Sequence, residues 1–164
     1  MKTIIVYMTK HGCTEKAAGA LESLLSGPTT VVNLKDDKNP SFDQFDSVII
    51  GGSIHVGQIQ KKVRKFCEKN LDRLLEKRLG LYICCMETGE KAREEFDQAF
   101  DPRLREHASA TGLFGGEFDF TRMNFLEKKI IQRVAEFTEN VSRVDEDSIR
   151  EFARMMEGVD QGTG

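Results

Sequence analysis

The stretch IIVYMTKHGCT, residues 4–14, decides how the rest of the chain is read. Its apolar run Ile4-Ile5-Val6-Tyr7-Met8 has no polar residue alternating with it, so Thr3 to Met8 reads as a strand buried on both faces. The run ends on Thr9, Lys10, His11, Gly12, Cys13 and Thr14, without an acidic residue. From Glu15 to Leu25, Ala17, Ala18, Leu21, Leu24 and Leu25 recur at helical spacing. Two hydroxyls and a glycine therefore stand at the mouth of a helix that follows a buried strand. The stretch lacks the G-x-G-x-x-G of dinucleotide binders and the G-x-x-x-x-G-K-S/T of nucleotide triphosphatases. Hydroxyls together with free backbone N–H groups at a helix start suit a phosphate monoester. A helix cap by Thr9 or His11, with no ligand, is the plainer alternative.

Further along, apolar runs keep alternating with amphipathic segments. Gly27-Pro28 ends the first helix, and Thr29 to Leu34 is a β-branched second strand. A polar loop with Pro40 leads to a third strand, Ser47 to Ile50, which Gly51-Gly52 is expected to stop. Gln58 to Leu75 reads as a helix with Val63, Phe66, Cys67 and Leu71 on one face. Leu79 to Cys85 is a fourth strand and Glu90 to Phe100 a charged helix. Pro102 interrupts the pattern, and Ala108 to Phe118 is a fifth strand. Helices are expected over about Asn124 to Phe137 and over Asp147 to Met156, the latter capped by Asp145. This alternation predicts an α/β fold, a three-layer, doubly wound, five-stranded parallel sheet. It occupies one domain, 1–157, with a flexible Gly-rich tail, 158–164.

The bulk numbers exclude several classes. The chain has 164 residues, 39% hydrophobic and 31% charged, with a net charge of -3. That suits one soluble domain and gives no electrostatic footprint for nucleic acid. No apolar run is long enough to span a bilayer and no signal-peptide pattern opens the chain, so a cytoplasmic location is expected. Cys13, Cys67, Cys84 and Cys85 form no C-x-x-C pair, and no metal site is expected. Cys84 and Cys85 are adjacent in a strand, so their side chains should leave on opposite faces and stay reduced.

In doubly wound sheets ligands bind beyond the carboxyl ends of the strands. Two more loops fall at that edge. Residues 51–58, GGSIHVGQ, carry glycines at 51, 52 and 57, which would let the backbone approach a flat ligand. Ser53 could cap, and Ile54, His55 and Val56 would offer apolar and aromatic surface. Residues 85–90, CMETGE, bring Met86, Glu87, Thr88 and Gly89. Thr88 is also a plausible helix cap, Met86 a plausible core filler, and Glu87 with Glu90 adds negative charge. His55 could pack beside such a ligand or, titrating near neutral pH, exchange a proton with it.

One phosphate loop and two loops that can clamp a planar ring resemble the flavodoxin family. The first loop resembles its T-x-T-G-x-T phosphate motif, with His11 where a hydroxyl residue is usual. The resemblance covers nearly the whole chain and implies strand order 2-1-3-4-5. It implies FMN as cofactor, held by Thr9, Lys10, His11, Gly12, Cys13 and Thr14, with Gly52 to Gly57 and Met86 to Gly89 flanking the isoalloxazine. The stretches GGSIHVGQIQKKVRKF and GLFGGEFDFTRMNFLEKKIIQRV also look like the subgroup containing the menaquinone-dependent protoporphyrinogen IX dehydrogenase of haem synthesis. There, Met123 to Phe137 would fill an additional segment. An acidic chain with no tryptophan favours electron transfer with a redox partner protein. Porphyrinogen oxidation with a quinone comes second, and a cofactor-free interaction module third. Two families that share this topology are set aside by their sites. A phosphorylation receiver needs acidic residues where Thr9 and Gly51-Gly52 stand, and a small tyrosine phosphatase needs C-x₅-R where Cys13 is followed by Gly19.

Overall fold

A computed structural model describes residues 1–9, 12–115, 117–118, 141–142 and 145–158. Its centre is β1 (Thr3–Tyr7), all five residues of which are buried. Burial on both faces follows from its place between β2 (Thr29–Asn33) and β3 (Ser47–His55), with which it pairs in parallel. β3 pairs in turn with β5 (Arg78–Cys84), and β5 with β6 (Ala110–Leu113), again in parallel. The path β2-β1-β3-β5-β6 is the expected five-strand order once the short β4 (Gln58–Ile59), antiparallel to β3, is set aside.

Alternate side chains of each strand feed two cores. Ile4, Val6, Val48, Ile50, Leu79, Leu81 and Ile83 face one layer. They pack on Val63 and Phe66 of α2 (Lys61–Lys69), Leu74 of α3 (Leu71–Leu74), Phe96 of α4 (Gly89–Ala99) and Leu104 of α5 (Pro102–His107). Ile5, Tyr7, Ile49, Tyr82 and Cys84 face the other layer. They meet Ala17, Ala18 and Leu21 of α1 (Cys13–Leu24) and Ile149, Phe152 and Met156 of α6 (Glu146–Met156). Cys84 and Cys85 fall in opposite cores, as strand alternation requires.

Three elements differ from the sequence expectation. β3 does not stop at Gly51-Gly52 but runs through them to His55. A Cβ on Gly51 would lie 2.0 Å from Cζ of Tyr82, and one on Gly52 would lie 2.6 Å from Cδ1 of Ile59. These glycines make room for the chain's own side chains inside a strand. The helix expected from Gln58 begins only at Lys61, after a hairpin through Val56 (φ 51) and Gly57 (φ 76). It breaks at Asn70, where the amide of that buried side chain donates to the Phe66 carbonyl (2.9 Å) and to Asn39 Oδ1 (2.8 Å). The fifth strand is shorter than expected. It ends at Leu113 because Phe114 folds back over Gly112 and stacks on Tyr82, with ring centroids 4.8 Å apart.

Beyond it, Glu117–Phe118 (β7) and Val141–Ser142 (β8) form a separate antiparallel ladder. Asp145 caps α6 as read from sequence, its carboxylate accepting from the Ser148 N–H at 3.0 Å and its hydroxyl at 2.6 Å. These two bonds hold its carboxyl below the usual carboxylate range. The helix expected over 124–137 and residues 159–164 of the tail lie outside the described residues. No helix among the described residues is long and apolar enough to cross a membrane.

Candidate functional site

The first loop closes on itself before it opens on α1. Thr9 Oγ1 accepts the Gly12 N–H at 2.9 Å, which closes a turn ahead of α1 rather than capping it, so the plainer capping role read for Thr9 is not realised. Accepting one bond leaves that hydroxyl its own proton to donate. Gly12 sits at φ 98, a left-handed conformation natural to glycine, and turns the chain into the helix. Among the described residues no side chain caps α1, and its first internal bond is from the Lys16 N–H to the Gly12 carbonyl. The N–H groups of Cys13, Thr14 and Glu15 therefore precede the ladder at the positive end of the helix dipole.

Thr14 is wholly buried in that first turn, and its Oγ1 has no hydrogen-bond partner. The Cys84 thiol feels this hydroxyl, but sulfur is a weak partner and no bond of normal geometry forms. Leaving a buried hydroxyl unpaired costs about 1–3 kcal/mol. An uncapped helix start and an orphaned buried hydroxyl in the same turn together describe an anion site. Lys10 and His11, the other residues expected here, lie outside the described residues.

The second loop is fastened to the first by a residue that sequence reading overlooked. Gln60 Nε2 donates to the Met8 carbonyl at 3.3 Å and to Ser53 Oγ at 2.5 Å, while its Oε1 accepts the Ser53 N–H at 2.9 Å. Ser53 is thus tied to Gln60 rather than capping a helix. Gly52 serves the same tie, since a Cβ there would stand 3.0 Å from Gln60 Oε1. Ile54 packs against the first core and His55 is half-buried at the end of β3. Val56, at 101% relative exposure, carries its side chain fully into solvent from a positive-φ backbone. A β-branched residue in that region is strained by about 1–3 kcal/mol, and such strain gathers at functional loops.

The third loop is joined to the first through Gly115, also unforeseen in this role. Its carbonyl accepts the Cys85 N–H at 2.9 Å and lies 3.8 Å from Cys13 Sγ. Gly115 turns at φ 79 to present that oxygen. Met86 is half-buried; Glu87, Thr88 and Gly89 are exposed, and Gly89 has φ 60 with open space around it. Thr88 occupies the N-cap position of α4 without a side-chain bond to it, so the capping reading fails here. A cavity of about 240 Å³ opens beside this loop, floored by Cys85, Ala92 and Leu113 and edged by Asp145.

Burial pushes the Cys85 thiol up to about 12, helped by the Glu95 carboxylate and opposed by the thiol's own bond to the Glu87 carbonyl at 3.7 Å. Contact with Cys13, then burial, raises Cys84 further above the usual thiol range. Both remain protonated at neutral pH, which makes them poor nucleophiles.

Glu95 of α4 lies beneath this loop at 7% exposure, shielded but shallow, with Oε1 unpaired. Burial and the Glu87 carboxylate raise its pKa, and Lys91 opposes them. The native state therefore holds this proton more tightly than the unfolded chain does. Stability from this group is fully present below the ordinary carboxylate range and is lost as pH rises through the raised folded value. Glu95→Gln should accordingly stabilise the protein at pH 7, on the order of 1 kcal/mol. The gain should fade toward pH 4, and urea unfolding at the two pH values measures it.

A family model of the flavodoxin domain matches residues 4–145, and the chain belongs to that family. Over 77 residues it is 32% identical to protoporphyrinogen IX dehydrogenase (quinone) of Escherichia coli, a match covering 45% of this chain and 42% of that enzyme. The chain is thus matched to less than half of that relative's length. Oxidised flavodoxin 1 of Bacillus cereus superposes with a TM-score of 0.61 at 16% identity, over 96% of this chain and 98% of that one. A mutant flavodoxin of Fusobacterium nucleatum bound to flavin mononucleotide gives 0.52 at 16% identity, over 96% and 95%. The two structures share the three-layer α/β fold.

Proposed function

We propose that the chain is an FMN-binding redox protein of the flavodoxin type that passes electrons between partners. The observation that carries this is the buried, unpartnered Thr14 hydroxyl in the uncapped first turn of α1, at the carboxyl edge of a doubly wound sheet. Thr9, Lys10, His11, Gly12, Cys13 and Thr14 hold the phosphate through N–H groups and hydroxyls. Ser53 to Gly57 and Met86 to Gly89 flank the ring, with Gly52 acting by admitting Gln60. FMN, when bound, supplies the centre that accepts and releases electrons. The protein fixes it between loops that Gln60 and Gly115 tie together. Exposed Val56 is positioned to cover apolar ring surface from water. Exposed Glu87 places negative charge where added electrons would be felt, which lowers the affinity for them.

We assign the described fold to one domain, 1–157. A cytoplasmic home fits four cysteines that are all free and buried. Porphyrinogen oxidation with a quinone acceptor is the second reading, favoured by the partial match to the dehydrogenase. An absorbance spectrum of the purified protein tests the cofactor, and a colourless chain that takes up no FMN would leave only an interaction module. Anaerobic mixing of the loaded protein with protoporphyrinogen and a quinone separates the two redox readings. Protein-dependent porphyrin fluorescence would put the second first.

A further inference from the structure

Helix α2 carries Lys61, Lys62, Arg64, Lys65 and Lys69 against the single carboxylate Glu68, a charge of +4 within nine residues. The whole chain has a charge of -3, so everything outside α2 sums to -7. At about 100° per residue, Lys61, Lys62, Lys65 and Lys69 fall within an arc of about 100°. That arc is turned away from the buried Val63, Phe66 and Cys67. Lys61, Lys65 and Lys69 are exposed and Lys62 is half-buried. None of the four has an ion-pair partner among the described residues.

The stripe is unfavourable for the helix that bears it. Lys61 and Lys62 sit in the first turn, where the dipole is positive and no acidic residue stands beside them. Lys61, Lys65 and Lys69 are spaced i, i+4, which sets like charges side by side. A local choice that works against its own element points to a function outside it. The position supports this. α2 begins one residue after Gln60, whose side chain grips Met8 and Ser53 of the first two loops.

We infer that the lysine stripe of α2 is the docking surface for an acidic electron-transfer protein, set beside the loops that flank the flavin. This deepens the redox reading and rests on it. Charge complementarity selects the partner. The helix is only about 14 Å long, a span that fits the acidic patch of a small protein. Its apolar residues are spent on the core, so nothing remains to insert into a lipid surface. The -7 elsewhere repels an extended polyanion such as nucleic acid. Lysine, a hydrated point charge, suits fast, reversible encounter better than a permanent interface.

The test uses the FMN-loaded full chain, a reduced acidic two-iron ferredoxin as the probe, and stopped-flow mixing at low and high salt. In the wild type the second-order rate should fall at least about tenfold as salt rises. In Lys61→Glu/Lys62→Glu it should already be down about tenfold at low salt. Reduction by dithionite should be unchanged in that variant. Carboxylates in the first turn suit the dipole, so the variant should melt no lower than the wild type. Equal rates and equal salt dependence in both proteins would overturn the proposal. So would a variant defect seen only with phosphatidylserine vesicles or duplex DNA. Calorimetric titration with oxidised ferredoxin reads the docking without flavin, so a chain that fails to load FMN sinks the redox reading and leaves this result standing by itself.

Discussion

FMN should bind this protein roughly 10²–10⁴ times more tightly than riboflavin. The estimate takes two bonds to a charged phosphate at about 1.5–3 kcal/mol each. Thr14→Val sharpens the expectation because its two effects have opposite signs. Without cofactor, replacing an orphaned buried hydroxyl by a methyl of similar shape should stabilise the fold by about 1 kcal/mol. With cofactor, the same change should weaken FMN about 10–150-fold and leave riboflavin untouched. Removing the Thr9 hydroxyl as well should bring the loss to several kcal/mol at most. Fluorescence titration with both flavins measures all of this. Equal affinity for riboflavin and FMN in the wild type would show that the first loop is not a phosphate loop.

Gly51→Ala should destabilise the protein by about 3 kcal/mol, the upper end of ordinary overpacking. The added Cβ would fall 2.0 Å from Cζ of Tyr82, a ring buried between the sheet, Phe114 and Phe152. Tyr82 also donates its hydroxyl to the Thr14 carbonyl at 2.9 Å, so the disturbance reaches the first loop. Flavin affinity should therefore drop along with stability. Urea midpoints at constant slope give the energy. The pairing is checked by a second change. Gly51→Ala with Tyr82→Leu should recover much of the loss, whereas Gly51→Ala with Tyr82→Phe should recover none, because the clash is with the ring and not the hydroxyl. A midpoint for Gly51→Ala within about 0.5 kcal/mol of wild type would refute the packing argument.

The same glycine shows where the sequence could and could not be read. The buried strands were legible because a continuous apolar run such as Ile4 to Tyr7 has one cheap fate, between two neighbours and under two helical layers. The first helix and its threonines were legible because spacing fixes their place relative to the strand. Gly51-Gly52 were misread because a glycine that ends a strand and one that admits a distant ring look alike locally. The deciding residue, Tyr82, lies in another strand. The hairpin at Val56-Gly57 was hidden for a related reason. Turns with two positive-φ residues usually announce themselves with Asn or Asp before Gly, and valine gives no such signal. Gln60 and Gly115 fall outside the three loops, 9–14, 51–58 and 85–90, that the sequence marks for binding. Their roles arise only when three loops from different parts of the chain converge, a long-range property that spacing does not encode. Thr88 taught the converse, since a residue well suited to capping was left without its bond.

Gln60 carries one consequence for dynamics. Its single amide reaches Met8, just past the end of β1, and Ser53, near the end of β3, so two loops share one side chain's three hydrogen bonds. Loops latched in this way open together or not at all. Opening events that expose one should expose the other at the same free energy, as a single cooperative unit in hydrogen exchange. A ligand arriving at one end then meets a second end already in place, and the entropy of ordering has been lost during folding rather than at binding.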